Sequence, residues 1–492
     1  MGTEVENLWV FALASKFNLF MQDHFVYFLV AIAITGFTLS IVFWSVPGGP
    51  AWGRYFFTRR FTPYFNRKNK NVIPGPRGFP LVGSMSLRSS HVAHQRIADV
   101  AAMNNAKRLM AFSLGDTKVI VTCHPEVAKE ILNSSVFADR PVDETAYGLM
   151  FNRAMGFAPN GTYWRMLRRL GSNHLFNPKQ IKRSEEQRRV IATRMVNAFT
   201  SNAGNVFGVR DLLKTASLCN MMGLVFGKEY ELETNNNVES ECLKGLVEEG
   251  YDLLGTLNWT DHLPWLAGLD FQQIRFRCSQ LVPKEMIFRG TDTVAVLMEW
   301  VLARIVMHPK FQSTVHDELD QVVGRSRAVD ESDLPSLTYL TAMIKEVLRL
   351  HPPAPLLSWA RLSITDTTVD GYHVPAGTTA MVNMWAIARD PHVWENPLEF
   401  KPERFVAKEG EAEFSVFGSD LRLAPFGSGK RVCPGKNLGL TTVTFWVATL
   451  LHEFEWLPSV NANPPDLSEV LRLSCEMACP LVVDVRPRRK TA

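Results

Sequence analysis

The stretch PFGSGKRVCPGK, residues 425–436, sets a cysteine among glycines with basic residues on either side. A thiol there could ligate a metal, attack a substrate or simply pack. The sequence that follows Cys433 has a helical pattern, apolar nearly all round, over 436–456, with Pro434 suited to its first position. A cysteine at a helix N-terminus gains from unpaired N–H groups and the dipole, which favour thiolate. Gly427, Gly429 and Gly435 would let the backbone pass close to a flat group and turn N–H bonds toward sulfur. A nucleophilic cysteine needs a histidine base, and no motif here supplies one. These pieces describe a haem-thiolate loop, with Phe426 against the ring and Arg431 paired with a propionate. Inert packing is the alternative for a cysteine beside a buried helix.

Such a loop needs a large scaffold. The chain has 492 residues, 46% hydrophobic and 21% charged, ordinary values for a globular protein with a large core. A net charge of only +4 gives no reason to expect a nucleic-acid partner. The cysteines number 7 and are scattered, which argues for a reducing compartment rather than a disulfide framework. Cys475 and Cys479 lie four apart, with neither a second pair nor nearby histidines in sequence to make a metal site.

Four regions follow from the pattern: a segment 1–24, a membrane-spanning helix 25–46, a basic and Pro/Gly-rich hinge 47–83, and a catalytic body 84–492. FVYFLVAIAITGFTLSIVFW (25–44) is long and apolar enough to span a bilayer. It is too long and starts too late for a cleaved signal peptide. Arg54, Arg59, Arg60, Arg67, Lys68 and Lys70 follow it, so the positive-inside rule keeps the body in the cytosol. The sequons at Asn133, Asn160 and Asn258 should then stay bare. PGPRGFPLVG (74–83) reads as a stiff connector.

The body is mainly α in pattern, an α+β fold with a small β-rich region. Helical periodicity covers 162–200, 239–256, 285–307, 339–350 and 436–456. Hairpin signals occur at 106–125, turning at Gly115-Asp116, and at 364–382. Glu346 and Arg349 in KEVLRL stand three apart and share a helix face.

The spacing Phe426-x-x-Gly429-x-Arg431-x-Cys433-x-Gly435 resembles the signature of cytochrome P450 enzymes, and that signature is highly specific. The resemblance implies the P450 fold, haem b with Cys433 as axial ligand, O2 as co-substrate and NADPH reached through a reductase. Carried along the chain, it makes Glu346 and Arg349 two members of a buried ionic triad completed by Arg404 of KPERF. Trp164 and Arg168 of TYWRMLRR match a propionate-clamping helix, and Arg361 of PLLSWARL matches a second clamp. RGTDTVA (289–295) resembles the oxygen-activating segment of the central helix. There Thr293 would bond back to the carbonyl of Arg289 and open a notch, and Asp292 and Thr293 would relay protons during O–O cleavage. Arg289 departs from the small residue often found in the family. P450-fold proteins that rearrange peroxides typically lack the threonine, so its presence favours monooxygenation.

Whole-chain likeness, through FRGTDTVAVLMEWVLARIVMHP, NWTDHLPWL and HPPAPLLSWARL, is to the plant KLUH/PLASTOCHRON group. It implies an endoplasmic-reticulum, single-pass monooxygenase promoting organ and seed growth, with fatty acids as proposed substrates. The residues themselves suggest an apolar small molecule, because the pocket segments 146–159, 352–357 and 472–481 are largely apolar. Lys430, Arg431 and Lys436 would form a basic face for an acidic partner, by the resemblance NADPH–cytochrome P450 reductase. One departure is large: near 283–285 the interval before the central helix is too short for the two helices and first half-helix the family carries there. That leaves a truncated, non-catalytic haem-binding isoform as the alternative function.

Overall fold

The computed structural model describes residues 3–61, 72–150, 154–202, 207–230, 232, 238–281, 292–357, 360–407, 414–459 and 464–488. Its core is helical. The central helix Asp292–Met307 is buried along most of its length and is flanked by helices Val209–Phe226, Thr338–Leu350 and Lys436–Glu453. Trp300, Met298, Leu302, Val347, Trp446 and Leu450 meet there with essentially no solvent contact. Burial on all sides explains why 436–456 lacks a polar stripe.

Two expected helices divide where local chemistry dictates. The 162–200 region becomes Thr162–His174, Pro178–Arg183 and Glu185–Ser201. Pro178 cannot continue the preceding helix, and the Asn177 side chain caps the next one by accepting from the Gln180 N–H at 2.9 Å. The last helix ends at Glu453, and Phe454–Pro458 forms a strand paired antiparallel with Val482–Pro487. There Phe454 and Trp456 alternate inward.

Both hairpins form. Met110–Leu114 and Thr117–Thr122 pair about Gly115, whose φ is 51° and whose added Cβ would lie 2.1 Å from the His262 carbonyl oxygen. Thr367–Val369 pairs with Tyr372–Val374, while Thr379–Val382 leaves that hairpin to run parallel beside Thr117–Thr122. Arg361–Leu362 joins the same sheet antiparallel to Thr379–Val382.

At the N-terminal side one helix spans Thr3–Trp44, and its His24–Trp44 portion is long and apolar enough to cross a membrane. Of the expected hinge 47–83, the described parts 50–61 and 72–83 make contacts with the body, and 62–71 lie outside the described residues. Helix Pro50–Phe61 docks through Trp52, which is fully buried and donates its indole N–H to the Phe112 carbonyl at 2.8 Å. The Pro74 carbonyl accepts from Ala111 N–H, and Gly75 passes so close that a Cβ there would sit 1.8 Å from the Ala111 oxygen. Apolar Trp52 and Ile73 gain more from the sheet than from water, which pins the segment.

Candidate functional site

The cysteine loop is shaped by two left-handed glycines. Gly427 has φ 70° and Gly429 φ 67°, and a Cβ on Gly429 would lie 2.1 Å from the Leu132 carbonyl oxygen. The turn Gly429–Arg431 follows, and the Cys433 N–H closes the loop on the Phe426 carbonyl at 2.9 Å. Pro434 is not the first helical residue; Gly435 caps a helix starting at Lys436 and has an ordinary negative φ of −89°. Phe426 is partly buried and stacks on Phe417.

Cys433 differs from the buried cysteines among the described residues. Burial pushes the Cys123 thiol up to about 12, those of Cys219 and Cys278 up to about 11, and that of Cys475 well above its ordinary value. Such groups stay thiols and pack. Cys433 is only partly buried, and its charge acts favourably on the Arg168 guanidinium.

Three guanidinium groups converge around the loop. Arg168 donates to the Val432 carbonyl at 2.8 Å, Arg361 to the Ser428 carbonyl at 3.0 Å, and Arg431 to the Ala138 and Ala158 carbonyls, each at 2.9 Å. Arg361 Nη1 and Arg431 Nη2 are buried without a hydrogen-bond acceptor. Burial, and then mutual repulsion, push Arg361 down to about 10. Burial likewise lowers Arg431 to about 10, against the pull of Asp139. Converging cations with orphaned donors require an anion, and two carboxylates at one edge of a flat cofactor fit. The haem propionates meet that description.

Trp164 enters indirectly. Its indole N–H is committed to the Met155 carbonyl at 3.2 Å, and its ring lies 4.0 Å from the Arg431 guanidinium. It holds Arg431 in place by cation–π contact. Arg431 is thereby turned inward and buried, so of the basic face expected around the cysteine only Lys430 and Lys436 lie outside.

Glu346, Arg349 and Arg404 come together as a triad. Arg349 forks onto Glu346 at 2.7 and 2.8 Å, and Arg404 Nε reaches Glu346 Oε1 at 3.2 Å. The Glu346 and Arg349 side chains have 0% exposure. Remaining N–H groups on Arg349 donate to the carbonyls of Ala388, Pro397 and Glu399, so the cluster knots the segment 388–404 to helix Thr338–Leu350. Phe426 of the cysteine loop packs with Phe405, Leu423 and Trp394 on this support.

At the start of the central helix Asp292 is buried and Thr293 is exposed. Burial raises the Asp292 carboxyl, opposed by a hydrogen bond to Ser474 and by Lys214, whose Nζ is 3.9 Å away. Lys214 also reaches Glu476 at 3.5 Å. Sequence reasoning missed Lys214, since nothing in its helix marks it. Arg289, Gly290 and the interval near 283–285 lie outside the described residues.

A cavity of about 200 Å³ gathers the three expected pocket segments: Ala146 and Phe157, Pro355 and Leu356, Arg472 and Leu473 all line it. Its lining is not uniformly apolar, because Arg88, Asp143, Asp261 and His262 share the wall. These four come from distant turns, so no spacing announces them.

Cys475 does meet a histidine, contrary to the sequence spacing: His94 Nε2 is 4.0 Å from its sulfur and 2.9 Å from Glu469. Glu469 is already saturated by His94, Gln95, His351 and Trp385; against burial, hydrogen bonds from His351 and His94 and the charge of Arg389 hold its carboxyl well below the usual range. The cluster ties sheet to helices. Asn258 is likewise committed, donating to Glu144 at 3.0 Å in a buried position unsuited to glycosylation.

Comparison with known proteins agrees with this geometry. The family model described as "Cytochrome P450" matches residues 73–282 and 282–476, starting ahead of the boundary expected at 84. Cytochrome P450 78A9 of Arabidopsis thaliana is 64% identical over 526 residues, covering 97% of each chain. Cytochrome P450 78A6 of the same plant is 62% identical over 536 residues, covering 99% of this chain and 100% of that one. Flavonoid 3'-monooxygenase of Petunia hybrida is 30% identical, covering 88% of this chain and 94% of its own. An alignment of 536 residues that takes in 99% of a 492-residue chain has tens of columns with no residue of this chain opposite them. Loop, support and whole-length likeness together identify the chain as a member of the cytochrome P450 monooxygenase family, in its plant 78A group.

Proposed function

We propose that the chain is a membrane-anchored haem-thiolate monooxygenase that hydroxylates a small molecule with O2 and electrons from NADPH–cytochrome P450 reductase. The observation that carries this reading is the set of buried, acceptor-less guanidinium N–H groups around the Cys433 loop. Cys433 would ligate the haem iron, and Arg168, Arg361 and Arg431 would hold the propionates. Haem supplies the redox chemistry that activates dioxygen and oxidises a C–H bond.

The chain's residues supply geometry and protons. Gly427 and Gly429 hold the loop in the turn that presents sulfur, and the Glu346–Arg349–Arg404 cluster fixes the ground beneath it. Asp292, raised by burial, keeps a proton more readily than an exposed carboxyl would. It passes that proton toward the substrate side through the Thr293 hydroxyl, and Lys214, 3.9 Å away, stabilises the carboxylate left behind. Phe157, Leu356 and Leu473 exclude water from the bound substrate.

Helix His24–Trp44 supports a single-pass anchor in the endoplasmic reticulum, with the body in the cytosol as the basic residues after it favour. Exposed Lys430 and half-buried Lys436 beside the loop favour an acidic reductase. By the resemblance of the sequence to the plant growth-promoting group, the proposal extends to organ and seed growth, with a largely apolar, fatty-acid-like small molecule as substrate.

One observation favours a second reading. The family match divides at residue 282, shortly before the helix that carries Asp292 and Thr293, and relatives carry residues that this chain lacks. A haem protein without turnover would follow if that shortened interval fails to cover the substrate side. Reconstitution in microsomes with the reductase and a panel of lipids decides between them. The monooxygenase reading expects a hydroxylated product, lost in Cys433→Ala. Normal haem spectra with no product select the non-catalytic form, and product that survives Cys433→Ala contradicts both.

A further inference from the structure

Glu476 sits among more cations than its single charge requires. Its Oε2 is 3.5 Å from Lys214 Nζ and 3.8 Å from Arg210 Nη1, and its Oε1 is 3.4 Å from Arg472 Nε. The two inner cations also serve other groups: Arg210 forks onto Glu299 at 2.8 and 3.1 Å, and Lys214 lies 3.9 Å from Asp292. Between them they keep the buried Glu476 carboxylate paired even without Arg472. Arg472, by contrast, has Glu476 as its one ion-pair partner among the described residues.

Arg472 is also the outermost of the three. Its side chain is 60% exposed, against 13% for Arg210 and 21% for Lys214. It nonetheless lines the cavity of about 200 Å³, which sets it where that cavity meets solvent. It follows strand Glu469–Leu471 at the tip of a hairpin closed by strand Cys475–Met477. Backbone bonds fix this tip: the Arg472 N–H donates to the Ser474 carbonyl at 3.0 Å, and the Cys475 N–H to the Pro353 carbonyl at 2.9 Å. The guanidinium can therefore turn without moving the strands.

A half-exposed ion pair contributes little, so a ligand carboxylate that forks onto the same guanidinium in a less wet space competes with Glu476. Inward of Arg472 the cavity offers Leu473, Leu356 and Phe157. Burial raises Asp143 and Asp261 on its wall, the latter to about 7, so both oppose an incoming anion less than ordinary carboxylates would.

We propose that Arg472 anchors the carboxylate end of an apolar substrate at the mouth of this cavity, and that Glu476 holds the guanidinium until that end takes it. The anchor rests on the monooxygenase reading and specifies its substrate as a long-chain acid, with the alkyl part running inward past Leu473, Leu356 and Phe157.

Calorimetric titration of the haem-loaded full chain with dodecanoate, and with dodecan-1-ol as the uncharged control, tests it. Arg472→Met should weaken dodecanoate binding by about tenfold and leave the alcohol unchanged. Glu476→Gln removes the competitor and should strengthen dodecanoate binding by about two- to fivefold. Opposite signs in the two variants mark an anchor, whereas a purely structural ion pair would weaken both ligands in both variants. Dodecanoate binding that is absent from the unaltered protein, unmoved by Arg472→Met, or weakened in Glu476→Gln overturns the anchor. The reduced carbon monoxide spectrum of the same sample separates the two levels. A thiolate-type band beside dodecanoate binding indifferent to Arg472 sinks the anchor alone. Absence of that band sinks the monooxygenase reading, while the two variants still decide the anchor.

Discussion

The two walls of the candidate site are held in different ways. On the cysteine side nearly every polar atom is fixed by a partner distant in sequence: Arg349 to Ala388 and Glu399, Arg168 to Val432, Arg431 to Ala138 and Ala158. What is left over, Arg361 Nη1 and Arg431 Nη2, points to one missing anion. At the start of the central helix Asp292 has a hydrogen bond to Ser474 and a longer approach from Lys214, and Thr293 lies open. In the proposed reading the first is a rigid mount for a fixed ligand, and the second holds groups that exchange protons and admit substrate, which tight bonding would defeat.

If the cysteine side is a mount, removing one member of its buried ion cluster should unfold the region. Glu346→Ala leaves Arg349 and Arg404 without their carboxylate, and we expect a loss of about 3–5 kcal/mol. Urea unfolding followed by haem absorbance reads it. A change below about 1 kcal/mol would mean the cluster behaves as a surface pair.

If the opposite wall is a proton path, Asp292→Asn should leave the folded, haem-bearing protein intact. Product formation should fall about 100-fold while NADPH is still consumed. The product-to-NADPH ratio, with substrate saturating, checks this. Equal loss of both would assign Asp292 to structure.

Smaller effects are expected at single guanidiniums. Arg361→Met removes one charge-assisted hydrogen bond to a propionate, about 1.5–3 kcal/mol, so haem should leave about 10 to 100 times faster. Haem transfer to an excess of an apo-globin measures the rate, and an unchanged rate would free Arg361 of that role.

The smallest effect belongs to the cavity wall. Burial first, and then Asp143 and Glu144, raise Asp261 to about 7, against hydrogen bonds from Glu144 N–H and Asn258. Because the folded state holds this proton more tightly than the unfolded chain, stability is greatest below the unfolded value near 4 and falls as pH rises toward 7. Asp261→Asn keeps the Glu144 bond and removes the titration. Partial solvent access limits the gain to about 1–2 kcal/mol at pH 8, with none expected at pH 4. Urea midpoints at the two pH values check the sign.

Legibility in the sequence followed the same division. The cysteine loop and the Glu346-x-x-Arg349 pair were readable because local spacing sets them: a glycine-rich turn before an apolar helix, and one helix face. Arg404, Arg168 and Arg361 came only through likeness to the family, since their partners lie far away in the chain. Arg431 was read correctly as facing inward but also counted toward the outer basic face, which a buried guanidinium over Trp164 cannot join. Lys214 and the Arg88–Asp143–Asp261 wall carried no signal at all, because tertiary packing alone brings those turns together. Within the expected hinge 47–83, Pro and Gly mark the turns, while the burial of Trp52 and Ile73 against the sheet carried no signal in their spacing.

The most direct test is the carbon monoxide spectrum of the reduced protein beside its Cys433→His variant. A thiolate-type band in the unaltered protein that moves to the imidazole position in the variant is the expected result. The same thiolate band in both, or an imidazole-type band in the unaltered protein, would show that the sulfur at 433 is not the iron ligand.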